Sequence, residues 1–167
     1  REQMIKLLCC ILEPECTDEV GVIVECDDRT MSIGDKRNKL LASSQAEYIC
    51  FVDDDDRVSG DYVARIAEAL KEKPDCVGME GVITFDGRGP RKFIHSNRYD
   101  SWFERDGVYY RTPNHLNPVK REIALSAGFP DKSHGEDADY SSRLVGKLKT
   151  EVYLEGPIYF YDYKSNK

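Results

Sequence analysis

Two groups of carboxylates have the type and spacing to do chemistry. Four consecutive aspartates fill positions 53–56, and Glu136, Asp137 and Asp139 form a second cluster far downstream. Side chains of this kind form a solvated acidic turn, hold a hard divalent cation through oxygen ligands, or accept a proton. On an extended segment Asp53 and Asp55 would point to one side and Asp54 and Asp56 to the other, about 6.5 Å apart within each pair. Each pair would repel by about 0.6 to 2.6 kcal/mol, for effective dielectrics from about 80 down to 20. A bound Mg²⁺ or Mn²⁺ offsets that repulsion, and Asp53 and Asp55 become the candidate metal pair.

The segments around these acids must position them. Residues 48–52, Tyr-Ile-Cys-Phe-Val, form a continuous apolar run of the kind that makes a buried parallel strand, and it leads directly into the aspartates. Residues 20–24, Val-Gly-Val-Ile-Val, repeat the pattern and end in Glu25, Cys26, Asp27 and Asp28. Helices are expected over 4–12, ended by Pro14, over 35–45, and after Ser59 as a cap, with Val63, Ile66, Ala67 and Leu70 turned inward. The order helix, strand, helix, strand, helix implies a parallel α/β sheet with right-handed crossovers. Ligands of open α/β sheets bind beyond the carboxyl ends of the strands, so Asp27, Asp28 and the 53–56 run are expected to share a crevice.

Beyond Pro74 the pattern changes. Residues 76–85, 91–95 and 108–111 read as strands, separated by Gly87, Gly89, Pro90 and an aromatic stretch. Asn117-Pro118 reads as a cap and a first helical proline, opening a helix through Ala124 that the Gly128-Phe129-Pro130 turn ends. Residues 136–148 read as a helix with Tyr140, Leu144, Val145 and Leu148 inward, and 158–163 alternate like a strand.

Phe51-Val52-Asp53-Asp54-Asp55-Asp56, preceded by Gly34-Asp35-Lys36-Arg37-Asn38-Lys39-Leu40, resembles the Asp-x-Asp region of the family-two, GT-A-fold inverting glycosyltransferases. Ala127-Gly128-Phe129-Pro130-Asp131, followed by Gly135-Glu136-Asp137-Ala138-Asp139-Tyr140 and Arg143-Leu144, resembles that family's Gly-Phe-Asp-Glu turn and Glu-Asp motif, in the family's order. The resemblance spans roughly residues 20–150 and lies in the combination of motifs. It implies an α/β, GT-A-like (Rossmann-like) fold, with a mostly parallel central sheet flanked by helices and a small antiparallel excursion on the acceptor side.

The resemblance also implies roles. Asp27, or alternatively Asp28, would contact the nucleotide base, and Arg37 would lie near the nucleotide. Asp53 would face the nucleotide sugar, Asp55 would hold the Mn²⁺ or Mg²⁺ that grips the diphosphate, and Asp137 would be the general base. Inverting transfer needs a carboxylate to take the proton of the acceptor hydroxyl, with a cation opposite to stabilise the departing diphosphate. Asp137 suits that part in the first turn of its helix, where the dipole favours an anion. Glu136, His134 and Trp102 are acceptor-side candidates: His134 precedes the Glu-Asp pair, and Trp102 either stacks on a sugar or packs with Tyr99 and Phe103. His134 and His115 otherwise read as polar loop residues.

The implied donor is a nucleotide sugar, a UDP-sugar, and the acceptor a glycan, lipid or protein hydroxyl. The family begins with a strand ahead of the first helix, which this chain is expected to lack. It also has no Gln-x-x-Arg-Trp motif of the processive synthases, so single-sugar transfer is expected. The alternative is a noncatalytic module of the same fold that binds a nucleotide or glycan. A phosphotransfer domain would ask for a nucleophilic Asp followed by Thr or Ser, which 53–56 lack.

The 167 residues suit one domain over 1–167, with a nucleotide-binding half of about 1–75 and an acceptor-side half of about 76–167. With 24 basic and 31 acidic residues the net charge is −7, which disfavours nucleic acid and anionic membrane surfaces. No apolar run is long enough for a membrane span, and the opening Arg1-Glu2-Gln3 shows no signal pattern, so a soluble, cytoplasmic protein is expected. Its six cysteines include no C-x-x-C pair and read as reduced core thiols, above all Cys9, Cys10, Cys50 and Cys76.

Overall fold

A computed structural model of the protein describes residues 20–28 and 30–165. The helix expected over 4–12, with Cys9 and Cys10, lies outside them. The elements run α1 (Ile33–Ser43), β1 (Tyr48–Ile49), β2 (Arg57–Val58), α2 (Tyr62–Leu70), β3 (Cys76–Phe85), β4 (Arg88–His95), β5 (Phe103–Arg105), β6 (Val108–Arg111), β7 (Val119–Lys120), α3 (Arg121–Ala127), α4 (Glu136–Leu144) and β8 (Glu151–Tyr163). The described strands form one sheet in the order β1-β7-β3-β4-β6-β5, with β8 pairing β3 and β2.

The α/β class with helices against a central sheet is as expected. The strand senses are mixed instead of mostly parallel: β3–β8 and β4–β6 are parallel, and the other described pairs are antiparallel. Two tight hairpins account for part of this. Asp86 and Gly87 have φ of 51° and 74°, and Asp106 and Gly107 have φ of 52° and 73°. Paired positive φ angles twist with the flanking strands, and Asp-Gly is suited to them. β4 consequently starts at Arg88 and carries Gly89 and Pro90 within it, where a spacer was expected.

The pleat of β3 divides the core. Cys76 joins Leu41 of α1, Ala124 of α3, and Tyr140 and Leu144 of α4 in one apolar cluster. Met79 and Ile83 join Tyr62 and Ile66 of α2, with Ile158 and Tyr159 of β8, in the other. Burying a large apolar side chain in such a cluster contributes roughly 1.5–3 kcal/mol. Cys76 is buried, Cys50 half-buried and Cys26 exposed, all three as free thiols.

Five expectations are corrected. Residues 48–52 are not a buried parallel strand: only Tyr48–Ile49 are strand, half-buried and antiparallel to β7. Residues 20–24 are not a buried strand: Val22, Ile23 and Val24 are 43%, 51% and 48% exposed, and the described sheet ends at β1, whose partner is β7. Asn117-Pro118 does not open a helix. Residues 112–118 form a buried loop in which Asn117 accepts from the Asn114 N–H and donates to the Val77 carbonyl, both satisfying main-chain groups that a helix start would leave elsewhere. The helix begins only at Arg121 and ends at Gly128, whose φ is 58°. The helix from Glu136 stops at Leu144, because Val145 turns extended and Gly146 takes φ 79°; Val145 is exposed, while Leu148 is buried as expected. The last strand starts at Glu151, well before 158.

One docking contact matters most for the site. Ser32 caps α1 by accepting from the Asp35 N–H at 3.1 Å. Gly34, Arg37 and Leu41 form the helix's buried stripe. The Gly34 N–H donates to the Lys132 carbonyl at 3.1 Å, and the Asn38 amide clasps Phe129 through both its main-chain groups at 2.9 Å. The stripe thus fastens α1 to the loop that leads into α4. A Cβ at Gly34 would lie 1.9 Å from the Pro130 carbonyl oxygen, a main-chain atom. Gly34→Ala is therefore expected to lower unfolding free energy by about 1–3 kcal/mol, measured by urea denaturation. Unchanged stability would show that the loop is free to move away.

Candidate functional site

Arg37 reaches from the buried face of α1 into the space between the two acidic clusters. Its Nη2 donates to both oxygens of Asp53, at 2.8 and 3.1 Å, and its Nη1 donates to Glu136 Oε1 at 2.6 Å. The Arg37 and Glu136 side chains are 7% and 8% exposed, and Asp53 is 39% exposed. The rings of Phe51 and Phe129 lie against the guanidinium, with centroids 6.0 and 5.7 Å away. Burial alone would lower the pKa of Arg37, but Asp53, Glu136 and Asp137 hold it raised. Burial likewise works to raise the Asp53 carboxyl, yet His115 and Arg37 pull it well below the usual carboxylate range.

Residues 53–56 are a turn and not an extended segment, so the expected side-by-side display of Asp53 and Asp55 does not occur. The Asp56 N–H donates to the Asp53 carbonyl at 3.1 Å. Tyr159, fully buried on β8, supports the turn from below: its hydroxyl donates to Asp56 Oδ2 at 2.7 Å and accepts from the Asp53 N–H at 3.3 Å. Asp53 and Asp56 consequently face the protein, while Asp54 and Asp55 are exposed. His115 contributes from the buried loop, with Nε2 3.4 Å from Asp53 Oδ2 and a carbonyl that accepts from the Phe51 N–H at 2.9 Å.

The second wall is the start of α4. Gly135 takes φ 72°, a conformation that suits glycine, and places Glu136, Asp137 and Asp139 in the first turn. Trp102 packs beside this helix, its Nε1 donating to Thr112 Oγ1 at 3.0 Å and Ser141 Oγ at 3.1 Å. The Arg111 guanidinium lies over the indole, 4.5 Å from its centroid. Arg143 caps α3 by donating to the Ala127 and Gly128 carbonyls. Tyr161, one pleat repeat beyond Tyr159, lines a cleft with Asp55 and Arg57. Its hydroxyl is pushed up to about 12 by desolvation and by Asp56, Asp137 and Asp55, against the opposing charge of Arg111.

The structure thus joins Arg37, Asp53 and Glu136 directly; Asp55 lines a cleft with Arg57, Tyr161 and Asp162, and Trp102 packs on Ser141 of α4, the helix whose first turn holds Asp137. Asp27 accepts from Lys36 Nζ and the Met31 N–H, both at 2.9 Å, which ties it to the start of α1. Asp28 and His134 are exposed. Sequence reasoning missed Arg111, Tyr159 and Tyr161. The two tyrosines share one face of the alternating tail, and Arg111 ends a recognisable strand; these were the available signals. Among the described residues no three His, Cys, Asp or Glu side chains are gathered into a set able to enclose a metal.

Arg37→Ala would leave Glu136 buried without its cation and Asp53 without its two guanidinium hydrogen bonds, and should cost about 3 kcal/mol of stability, measured by chemical denaturation. The lowered pKa of Asp53 gives a second outcome. The folded state binds this carboxyl's proton less readily than the unfolded state, so its contribution is complete above the ordinary value of 3.8 and is lost as pH falls below it. The stability difference between the parent protein and Asp53→Asn should hold constant from pH 7 to about 5 and shrink at lower pH.

Residues 16–130 match the family model described as glycosyl transferase family 2. The chain is 28% identical over 139 residues to the succinoglycan biosynthesis protein ExoM of Rhizobium meliloti (strain 1021), covering 77% of this chain and 43% of that protein. It resembles in fold the crystal structure of S. aureus TarS 1–349 in complex with UDP-GlcNAc, with a TM-score of 0.63 and 16% identity over 87% of this chain and 43% of that one. The UDP complex of the same TarS segment gives a TM-score of 0.59 and 17% identity, covering 79% of this chain and 40% of the other. The chain therefore spans about two-fifths of the length of the relatives it matches. No described helix is long and apolar enough to cross a membrane. The match over residues 16–130 takes in α1, the acidic turn and the Gly128-Phe129 turn that Arg37 and Asn38 hold together, and the chain belongs to glycosyl transferase family 2.

Proposed function

We propose that this protein transfers one sugar, with inversion, from a nucleotide-sugar donor, a UDP-sugar, to a hydroxyl of a glycan, lipid or protein acceptor. The observation that carries this reading is the Arg37 bridge between Asp53 and Glu136, which draws the acidic turn and the first turn of α4 to one opening. The GT-A-like fold and the UDP and UDP-GlcNAc in the TarS structures support the choice of donor.

Both Asp53 oxygens are engaged by Arg37, so Asp53 positions donor groups beside that cation instead of ligating a metal. Asp55, exposed on the turn, offers the hard oxygen that Mg²⁺ or Mn²⁺ prefers. With no enclosing set of protein ligands among the described residues, a cation here would take its other ligands from the donor diphosphate and water, as Mg²⁺ commonly does. Such a cation supplies charge stabilisation to the departing diphosphate. Asp27, or alternatively Asp28, both ahead of the amino end of α1, contacts the base. Asp137, in the first turn of α4, takes the proton of the acceptor hydroxyl as that oxygen attacks the anomeric carbon. Residues up to about 75 serve the donor and the remainder the acceptor, except that Tyr159 of β8 reaches back under the donor turn.

Calorimetric titration with UDP and Mn²⁺ tests the donor assignment. Binding should require the metal in the parent protein and be lost or strongly weakened in Asp55→Asn even with the metal present. Asp137→Asn should bind UDP and Mn²⁺ as the parent does, yet release UDP in acceptor-dependent assays about 10²–10⁴-fold more slowly. Full transfer by Asp137→Asn would place the base elsewhere, and metal-independent UDP binding by the parent would remove Asp55 from its role.

A further inference from the structure

Arg111 is the cation of the site whose charge is left over. Arg37 is matched by Asp53 and Glu136, Lys36 by Asp27, and Lys132 by Asp139. The Arg111 guanidinium has no carboxylate within ion-pair distance among the described residues, although its stem is half-buried. A guanidinium withdrawn from water without a partner is unfavourable, and its planar fork of donors suits a phosphate or carboxylate.

Its position says which ligand it would meet. Arg111 ends β6, and its guanidinium is stacked on Trp102 at 4.5 Å and lies 5.8 Å from the Tyr109 ring. Trp102 is in turn fixed to Ser141, one helical turn along α4 from Asp137. The carboxylate that acts most strongly on Arg111 is Asp137, and burial lowers its pKa without removing its charge. Arg37 serves the other side of the opening, where Asp53 lies.

We infer that Arg111, stacked on Trp102, is an anion subsite beside Asp137 that takes a phosphate or carboxylate carried by the acceptor close to the hydroxyl that receives the sugar. The inference rests on the proposed function and adds the class of acceptor. An anionic acceptor approaching Asp137 and the acidic turn in a chain of net charge −7 meets repulsion, and Arg111 is placed to offset it. Two donors to two oxygens would also orient the neighbouring hydroxyl toward Asp137.

The test uses glycerol 3-phosphate, a minimal hydroxyl-bearing anion, with glycerol as the neutral control. The full chain, ¹⁵N-labelled at arginine and saturated with UDP and Mg²⁺, is titrated by NMR, and the Arg111 Nε–H resonance is assigned by its loss in Arg111→Lys. Glycerol 3-phosphate should shift that resonance and glycerol should not. Arg111→Gln should weaken glycerol 3-phosphate binding about tenfold and leave UDP affinity within about twofold, with Arg111→Lys intermediate. Absence of a shift at Arg111 in the parent protein would overturn the subsite whatever the variants do. A tenfold loss of UDP affinity in Arg111→Gln would also overturn it, by assigning the guanidinium to the donor diphosphate. A parent protein that fails to bind UDP, yet shows the Arg111 shift, would refute the donor assignment while supporting the subsite.

Discussion

A single guanidinium holds the site together. Arg37 binds one carboxylate 16 residues away and another 99 residues away, so two distant parts of the chain share one buried cation. Two negative groups around one positive group leave a net negative centre, which is unfavourable to bury unless the hydrogen bonding is complete. The fork geometry of arginine supplies that bonding here, and the Phe51 and Phe129 rings accept the flat face of the guanidinium. Lysine, with a point charge and no plane, would fit neither contact.

The rest of the fold can be understood as support for this contact. Gly34 and Asn38 lock the buried face of α1 to the 128–132 loop, which leads through Gly135 into the first turn of α4. Phe129 stacks on Tyr140 with centroids 4.1 Å apart, which fixes the turn against the helix it precedes. From the opposite direction β8 brings Tyr159 beneath the acidic turn and Tyr161 into a cleft beside Asp55. The acidic turn and the start of α4 are therefore mechanically coupled: a shift of the Asp53 turn is felt by Glu136 through the arginine they share.

Much of this was legible in the sequence, for physical reasons. The helix carrying Arg37 forms close to where it was expected, over Ile33–Ser43, and the apolar run 48–52 leads into the aspartates with Phe51 buried, although its strand is only the two half-buried residues of β1, antiparallel to β7. The pairing of Arg37 with Glu136 was not legible, because nothing local records a contact across 99 residues. Residues 20–24 misled because β-branched composition measures fitness for a pleated, half-buried surface, and only a partner strand turns that fitness into a buried strand. Asn117-Pro118 misled for the converse reason: the signature of a helix start is also the signature of a buried turn whose asparagine bonds main-chain groups. The Asp-Gly hairpins at 86–87 and 106–107 were strong local signals that point to antiparallel pairing.

The central claim is spatial: Asp55 and Asp137 face one opening that Arg37 closes at its base. A crystal of the protein grown with UDP and Mn²⁺, with the manganese located by its anomalous scattering, tests this most directly. The account predicts the metal on the Asp55 carboxylate, with diphosphate oxygens completing its shell and the Asp137 carboxylate across the same cavity. Manganese and nucleotide bound on a surface that Asp137 does not share would contradict it.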